Sequence, residues 1–398
     1  MSYTYLRARE LCQHVGETPQ LFVVSRGLWV FSTLRAEYET ARDLANQGLS
    51  LAQRLQDSTL LLCAHQDLGF FSLWPGEWQS AREHFERAMT FYDPRQHRSY
   101  VSLYEADLGV WALSEAAVAL WCLGYPDQAW QKIQEALTLV QKLAHPNTSG
   151  WALLCTAWLH QYCREPQETQ NRTEAAIALA HEHGFPLWLA YGTVFQGWAL
   201  AMQGQEEEGI IHIHQGMITA QGMGTEMAHS HHLALLAEAY GNIGQSEDGL
   251  RALSEALEFV EKTGERVYEA ELYRLKGTLT LKQSGVRGPK SEVPNTQHLT
   301  PNTHAEAEEV RRVGSAHQNV SEAETVGGAL KQSGVRGPKS EVPNPQHPTP
   351  STHAEAEAEA CFHKAIEIAR HQSAKSLELR AVMSLSRLWQ QQGKPQEA

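Results

Sequence analysis

Small and apolar residues return along this chain in a fixed order, with polar residues filling the space between them. The order is clearest from Leu123 to Leu137, LGYPDQAWQKIQEAL. Gly124 stands where a helix would end in a residue of positive φ. Pro126 lies near the start of the next helix, where a missing N–H costs little. Ala129, Ile133, Ala136 and Leu137 then fall on one face at helical spacing. With the glycine as position 0, the pattern is small at +5, apolar at +9, small at +12 and aliphatic at +13. Position 0 recurs at Ala36, Gly76, Gly124, Arg164, Gly204 and Gly244, at spacings of 40, 48, 40, 40 and 40 residues, and again at Gly393. Position −7, on the preceding helix, is small at Gly69, Ala117, Ala157, Gly197, Ala237 and Gly277. This register predicts a tandem array of helical hairpins.

Small residues at −7, +5 and +12 are the order of the tetratricopeptide signature, so the array resembles that superfamily. Its period is 40 residues in place of about 34, which implies longer helices. Arrays of this period look like the sensor regions of large bacterial signalling ATPases, such as the maltose-regulon activator. Three segments, ELC with GETPQL (residues 10–21), LALLAEAYG (233–241) and EAELYRLKG (269–277), resemble more narrowly the C-terminal repeats of bacterial fusions of a nucleotide cyclase or kinase to an ATPase. The resemblance implies an all-α, right-handed superhelical solenoid of antiparallel helix hairpins. It further implies a non-catalytic interaction or regulatory scaffold from a larger cytoplasmic signalling protein. The expected partner is a protein or peptide, including the ATPase and cyclase domains of the parent chain. A sugar-like small-molecule sensor and a non-functional gene remnant are the alternative readings.

The register is broken once. LKQSGVRGPKSEVPN, from Leu281 to Asn295, recurs letter for letter from Leu330 to Asn344. The template resumes at Ala358 (+5), Phe362 (+9), Ala365 (+12) and Ile366 (+13). Three regions follow. Residues 1–283 hold a half-repeat, with a second helix from Tyr3 to Val15, and then the hairpins. Residues 284–352 are a duplicated insertion, and residues 353–398 finish the seventh hairpin and begin an eighth. The insertion is rich in Pro, Gly, Ser, Thr and Asn and poor in aromatics, so disorder is expected there. Both ends fall mid-hairpin, which reads as a fragment of a longer protein.

Composition narrows the function. A net charge of −13 argues against a nucleic-acid footprint. Six scattered cysteines without a C-x-x-C pair fit a reducing cytoplasm. No apolar run approaches the ~18 residues of a membrane span. Gly285 to Ser291 lacks the spacing of a phosphate loop. His212, His214, His229, His231 and His232 crowd one hairpin without completing a metal-ligand set. No cofactor and no catalytic constellation are expected.

The tryptophans point to a surface. On the first helix of each hairpin, positions −13, −10, −6, −3 and −2 should line the concave side. They hold Phe70 and Trp74, Trp111 and Trp121, Trp151, Trp158 and Tyr162, then Tyr191, Trp198 and Met202. Later repeats turn polar there, with His231, Glu238, Glu271, Arg274, Arg380 and Arg387. An aromatic stripe running into a charged one fits a partner-binding groove. Packing of the same rings as core is the competing expectation.

Overall fold

The computed structural model describes Arg7, residues 16–285 and residues 350–394. Its helices belong to one compact unit. Hairpin 1 is α1 (Pro19–Leu34) with α2 (Tyr38–Leu55), and hairpin 2 is α3 (Ser58–Leu73) with α4 (Trp78–Phe91). A short 3₁₀ turn at Pro94–Gln96 and α5 (His97–Tyr104) fill the longer connection. Hairpins 3 to 6 are α6 (Leu108–Cys122) with α7 (Pro126–Leu143), α8 (Pro146–Tyr162) with α9 (Pro166–His183), α10 (Pro186–Met202) with α11 (Glu206–Gly222), and α12 (His229–Asn242) with α13 (Ser246–Thr263). Hairpin 7 pairs α14 (Glu269–Gln283) with α15 (Pro350–His371), and α16 (Lys375–Gln391) opens an eighth. The result is the all-α solenoid of antiparallel hairpins that the register demands.

Among the described residues the turns within hairpins other than hairpin 7 are made the same way. The N–H after position 0 reaches back to the carbonyl at −4, as in Glu77 to Ser72 (2.9 Å), Tyr125 to Leu120 (2.9 Å), Gln205 to Leu200 (3.0 Å) and Gln245 to Tyr240 (3.0 Å). This bond closes a helix on a left-handed residue. Gly204 and Gly244 take φ of +89° and +79°, and Ala36 and Arg164 take the same region without being glycine. The small positions set the distance between helices. A Cβ added at Gly197 would lie 2.5 Å from the Gly209 carbonyl oxygen, and one at Gly209 would lie 2.4 Å from that of Gly197. Position −7 of one helix thus touches position +5 of the next.

The helix α15 starts at Pro350, three residues inside the expected insertion, and buries Ala358, Phe362 and Ala365 as the resumed register requires. Residues 286–349 of that insertion, the expected helix from Tyr3 to Val15 apart from Arg7, and residues 395–398 lie outside the described residues.

The sequence did not announce how tightly the array winds. The carbonyl of Leu34, ending the first helix of hairpin 1, accepts from Glu226 N–H (2.7 Å) and Met227 N–H (3.1 Å) just before hairpin 6. Trp74 in hairpin 2 accepts from Arg266 N–H (2.6 Å) before hairpin 7, and Trp121 in hairpin 3 accepts from Ser376 Oγ (2.5 Å) in hairpin 8. One fastening recurs three times, each spanning five hairpins. Successive turns of this unit therefore sit directly on one another.

Candidate functional site

The tight winding brings the stripe together and fills the concave side with it. Trp74 stacks on Trp158 (6.1 Å between centroids), Phe70 meets Trp151 edge-on (5.9 Å), and Trp121 packs on Tyr162 (4.9 Å). Tyr162 also stacks on Tyr268 (5.6 Å), and His231 lies against Trp158 (5.7 Å) and Tyr268 (4.3 Å). Phe70, Trp74, Trp121, Trp151, Trp158, Tyr162, Tyr191, Trp198 and His231 are buried, while Trp111 and Met202 are half-buried. The space left among Trp74, Trp151, Trp158, Tyr191, Phe195 and His231 is about 20 Å³, room for roughly one water. These rings form an aromatic lumen, a core between turns.

The histidines do not converge as one set, and among the described residues no three metal-ligating side chains meet. His231 Nε2 donates to Gln161 Oε1 (3.3 Å), and burial lowers its pKa to about 3. Burial next to His231 and His229 drives His232 well below the usual range as well. Both rings are neutral at physiological pH.

Beyond the rings lies a charged mouth. Arg164, from the turn of hairpin 4, places both terminal nitrogens on Glu238 of α12 (2.7 and 2.5 Å). Glu238 also accepts from Trp198 Nε1 (2.8 Å), and the Arg164 guanidinium lies over the Trp198 ring (5.4 Å). Glu271 accepts from Arg274 (2.7 Å) and faces Arg380 (3.5 Å), which lies over Trp121 (4.9 Å) and donates to the Tyr162 carbonyl. Burial pushes the Glu238 carboxyl up, but the Arg164 charge and hydrogen bonds overcome it and hold the group at about 2. Burial opposes Glu271 ionisation too, and Arg274 and Arg380 reverse that. Three guanidiniums thus face two carboxylates. Glu271 Oε2, Arg274 Nε and Arg380 Nη1 are buried without a hydrogen-bond partner among the described residues. Arg164 keeps 40% of its side chain exposed, while Arg387 on α16 is exposed.

Two functional-looking groups escaped the sequence reading. Arg164 entered it only as an imperfect position 0, yet a bulky residue held at φ +63° is itself a signal, since L-residues seldom pay for that conformation without cause. The other is a polar cluster at the opposite end of the lumen. Arg26 Nε bonds both oxygens of Asp67 (3.0 Å each), and Glu115 accepts from Gln66 Nε2 (2.9 Å) and Trp151 Nε1 (2.9 Å). Burial raises Asp67 to about 6 against the pull of Arg26, and raises Glu115 to about 8. No periodic pattern marks these residues.

No family model matches the chain. It is similar to an uncharacterised protein of Rhizobium meliloti (strain 1021), with 20% identity over 267 residues, covering 67% of this chain and 26% of that one. Among solved structures it is similar to a Signal Transduction ATPase with Numerous Domains protein with a tetratricopeptide repeat sensor from Pyrococcus horikoshii. That likeness has a TM-score of 0.45 and 12% identity, over 98% of this chain and 52% of the other. The chain thus spans about a quarter of the curated relative it matches and about half of the solved one.

Proposed function

We propose that the chain is a non-catalytic recognition module of a larger cytoplasmic signalling protein, one that couples it to an ATPase and a cyclase or kinase domain. The partner is an acidic peptide or protein segment, such as a segment of those catalytic domains, and it binds at the charged mouth. The observation that carries this reading is the excess of guanidinium over carboxylate at Arg164, Glu238, Glu271, Arg274 and Arg380 in a chain of net charge −13. Buried donors there keep unused hydrogen-bonding capacity. Arg164 is the exposed member and makes first contact. Trp198 and Trp121 hold two of the arginine heads by cation–π attraction. Phe70, Trp74, Trp111, Trp151, Trp158, Tyr162, Tyr191 and His231 act behind them, fixing the curvature that assembles the mouth. Buried free thiols at Cys63, Cys122 and Cys155 fit a reducing compartment.

Selection from a peptide display library on the intact chain tests the reading. Enriched peptides should be acidic, and Arg164→Glu should weaken their binding at least about tenfold, or 1.4 kcal/mol. Glu115→Gln, remote from the mouth, should leave binding unchanged. A selection yielding only peptides indifferent to Arg164→Glu would sink the proposal.

A further inference from the structure

The charged mouth holds more cation than its own carboxylates neutralise. Lys282, near the end of α14, joins Arg164, Arg274 and Arg380 there. Its Nζ donates to the Gly241 carbonyl (3.0 Å), on the same helix as Glu238. The carboxylates paired with these side chains are Glu238 and Glu271, so four cations against two anions leave a formal excess of two. The open donors come from three elements. Arg274 Nε on α14 and Arg380 Nη1 on α16 have no hydrogen-bond partner among the described residues, and Arg164 reaches in from the turn of hairpin 4. Each guanidinium side chain touches solvent, at 40% for Arg164, 16% for Arg274 and 17% for Arg380. All three charges act on Glu271, so the heads share one small space. Two are already held in position, Arg164 over Trp198 and Arg380 over Trp121.

Resting on the reading of the mouth as the docking site, we infer that the group it takes is a phosphorylated side chain, so that phosphorylation of the partner segment switches docking on. A carboxylate brings one charge and two acceptor oxygens. A phosphoryl group at neutral pH brings nearly two charges and three acceptor oxygens. Only the phosphoryl group matches both the excess of two and open donors on three elements. Guanidinium suits it further, because the planar fork engages phosphate oxygens in pairs and an ammonium does not.

Three degenerate peptide libraries, alike except for phosphoserine, glutamate or serine at one fixed central position, test this on the intact chain by fluorescence anisotropy. At neutral pH the phosphoserine library should bind at least about tenfold more tightly than the glutamate library, and the serine library more weakly than either. Lowering the pH to about 5 should remove most of that margin, because the second phosphate ionisation lies near 6. Glu238 and Glu271 stay ionised over that range, while Tyr162, Tyr268 and His231 stay neutral. His160 and Glu165, bonded to each other beside Arg164 (2.6 Å), act on both libraries alike. Arg164→Lys keeps the charge and loses the fork, so the margin should narrow severalfold. Helicity and melting verify the fold of that variant, and Arg164→Gln serves instead if it melts early. Equal binding of the phosphoserine and glutamate libraries overturns the inference and leaves the acidic-segment reading standing, whereas binding of neither overturns both. A margin unmoved by substitution of Arg164 overturns it too. So does inorganic phosphate that competes as strongly as the phosphoserine library, since the ligand would then be the free anion.

Discussion

Glu115 and Glu238 invite comparison because so much about them is alike. Each sits on the first helix of its hairpin, facing the lumen, and each accepts a hydrogen bond from a tryptophan of the aromatic stripe, Trp151 at 2.9 Å and Trp198 at 2.8 Å. Their carboxyls nevertheless lie at about 8 and about 2. Glu115 has only neutral donors, Gln66 and Trp151, so burial governs it and the group is largely protonated at neutral pH. Glu238 has Arg164 on both of its oxygens, and the charge outweighs a similar desolvation. Burial alone does not fix the state of an acid in such a lumen; one guanidinium decides it. The array therefore carries a neutral carboxyl and a charged one on a single repeated scaffold.

The largest expected effect tests what the two ends share. Trp198→Ala and Trp151→Ala each remove a buried indole and leave a cavity, so each should cost about 3–5 kcal/mol in urea unfolding. A loss under about 1 kcal/mol at either would mean that the ring lines open space. Glu238→Gln leaves Arg164 without its carboxylate and should cost about 2–3 kcal/mol at pH 7. That is below the range for a fully buried pair, because Arg164 is 40% exposed. The wild-type advantage should hold above the unfolded carboxyl value near 4.5 and fade as pH falls toward 2.

Glu115→Gln should behave in the opposite sense. The folded chain holds that proton more tightly than the unfolded one, so wild-type stability is complete below pH ~4.5 and drains as pH rises through about 8. Between pH 5 and pH 8.5 the wild type should lose about 3–4 kcal/mol relative to the variant. Parallel pH profiles for the two proteins would refute the assignment of a proton to Glu115. The smallest effect concerns the turns. Gly204→Val meets no neighbour within 4 Å but must adopt φ near +89°, so it should cost about 1–2 kcal/mol in strain alone.

Much of this was legible from residue order. The positions that must be small announce helix–helix contacts, and Gly197 against Gly209 shows why they could be read: any Cβ there collides with backbone. Register is a local property, carried by every repeat, so it survives even the imperfect Ala36 and Arg164. The lumen was legible only in part. The stripe Phe70, Trp74, Trp151, Trp158 and Trp198 was marked by its spacing, but whether it faced solvent depended on superhelical pitch. Pitch accumulates from small rotations over five hairpins, and no single repeat encodes it. Single polar partnerships, such as Gln66 with Glu115 and Arg26 with Asp67 between neighbouring hairpins or Tyr38 with Glu265 (2.6 Å) between distant ones, occur once each and leave no periodic trace.

The turn-to-turn fastenings carry a kinetic consequence. An open repeat array is nearly one-dimensional: units form beside their neighbours, and the chain can melt from its ends in small steps. Here Leu34 is tied to Glu226, and Trp74 to Arg266, across 192 residues in each case. Such ties raise the mean sequence separation of native contacts, so closure must wait until five hairpins have formed and then lock them together. Refolding should slow accordingly, and the early and late hairpins should melt as a single cooperative block rather than fraying one after another. Held at its ends and stretched, the chain should resist like a coil whose windings are stitched together, yielding abruptly when the stitches part.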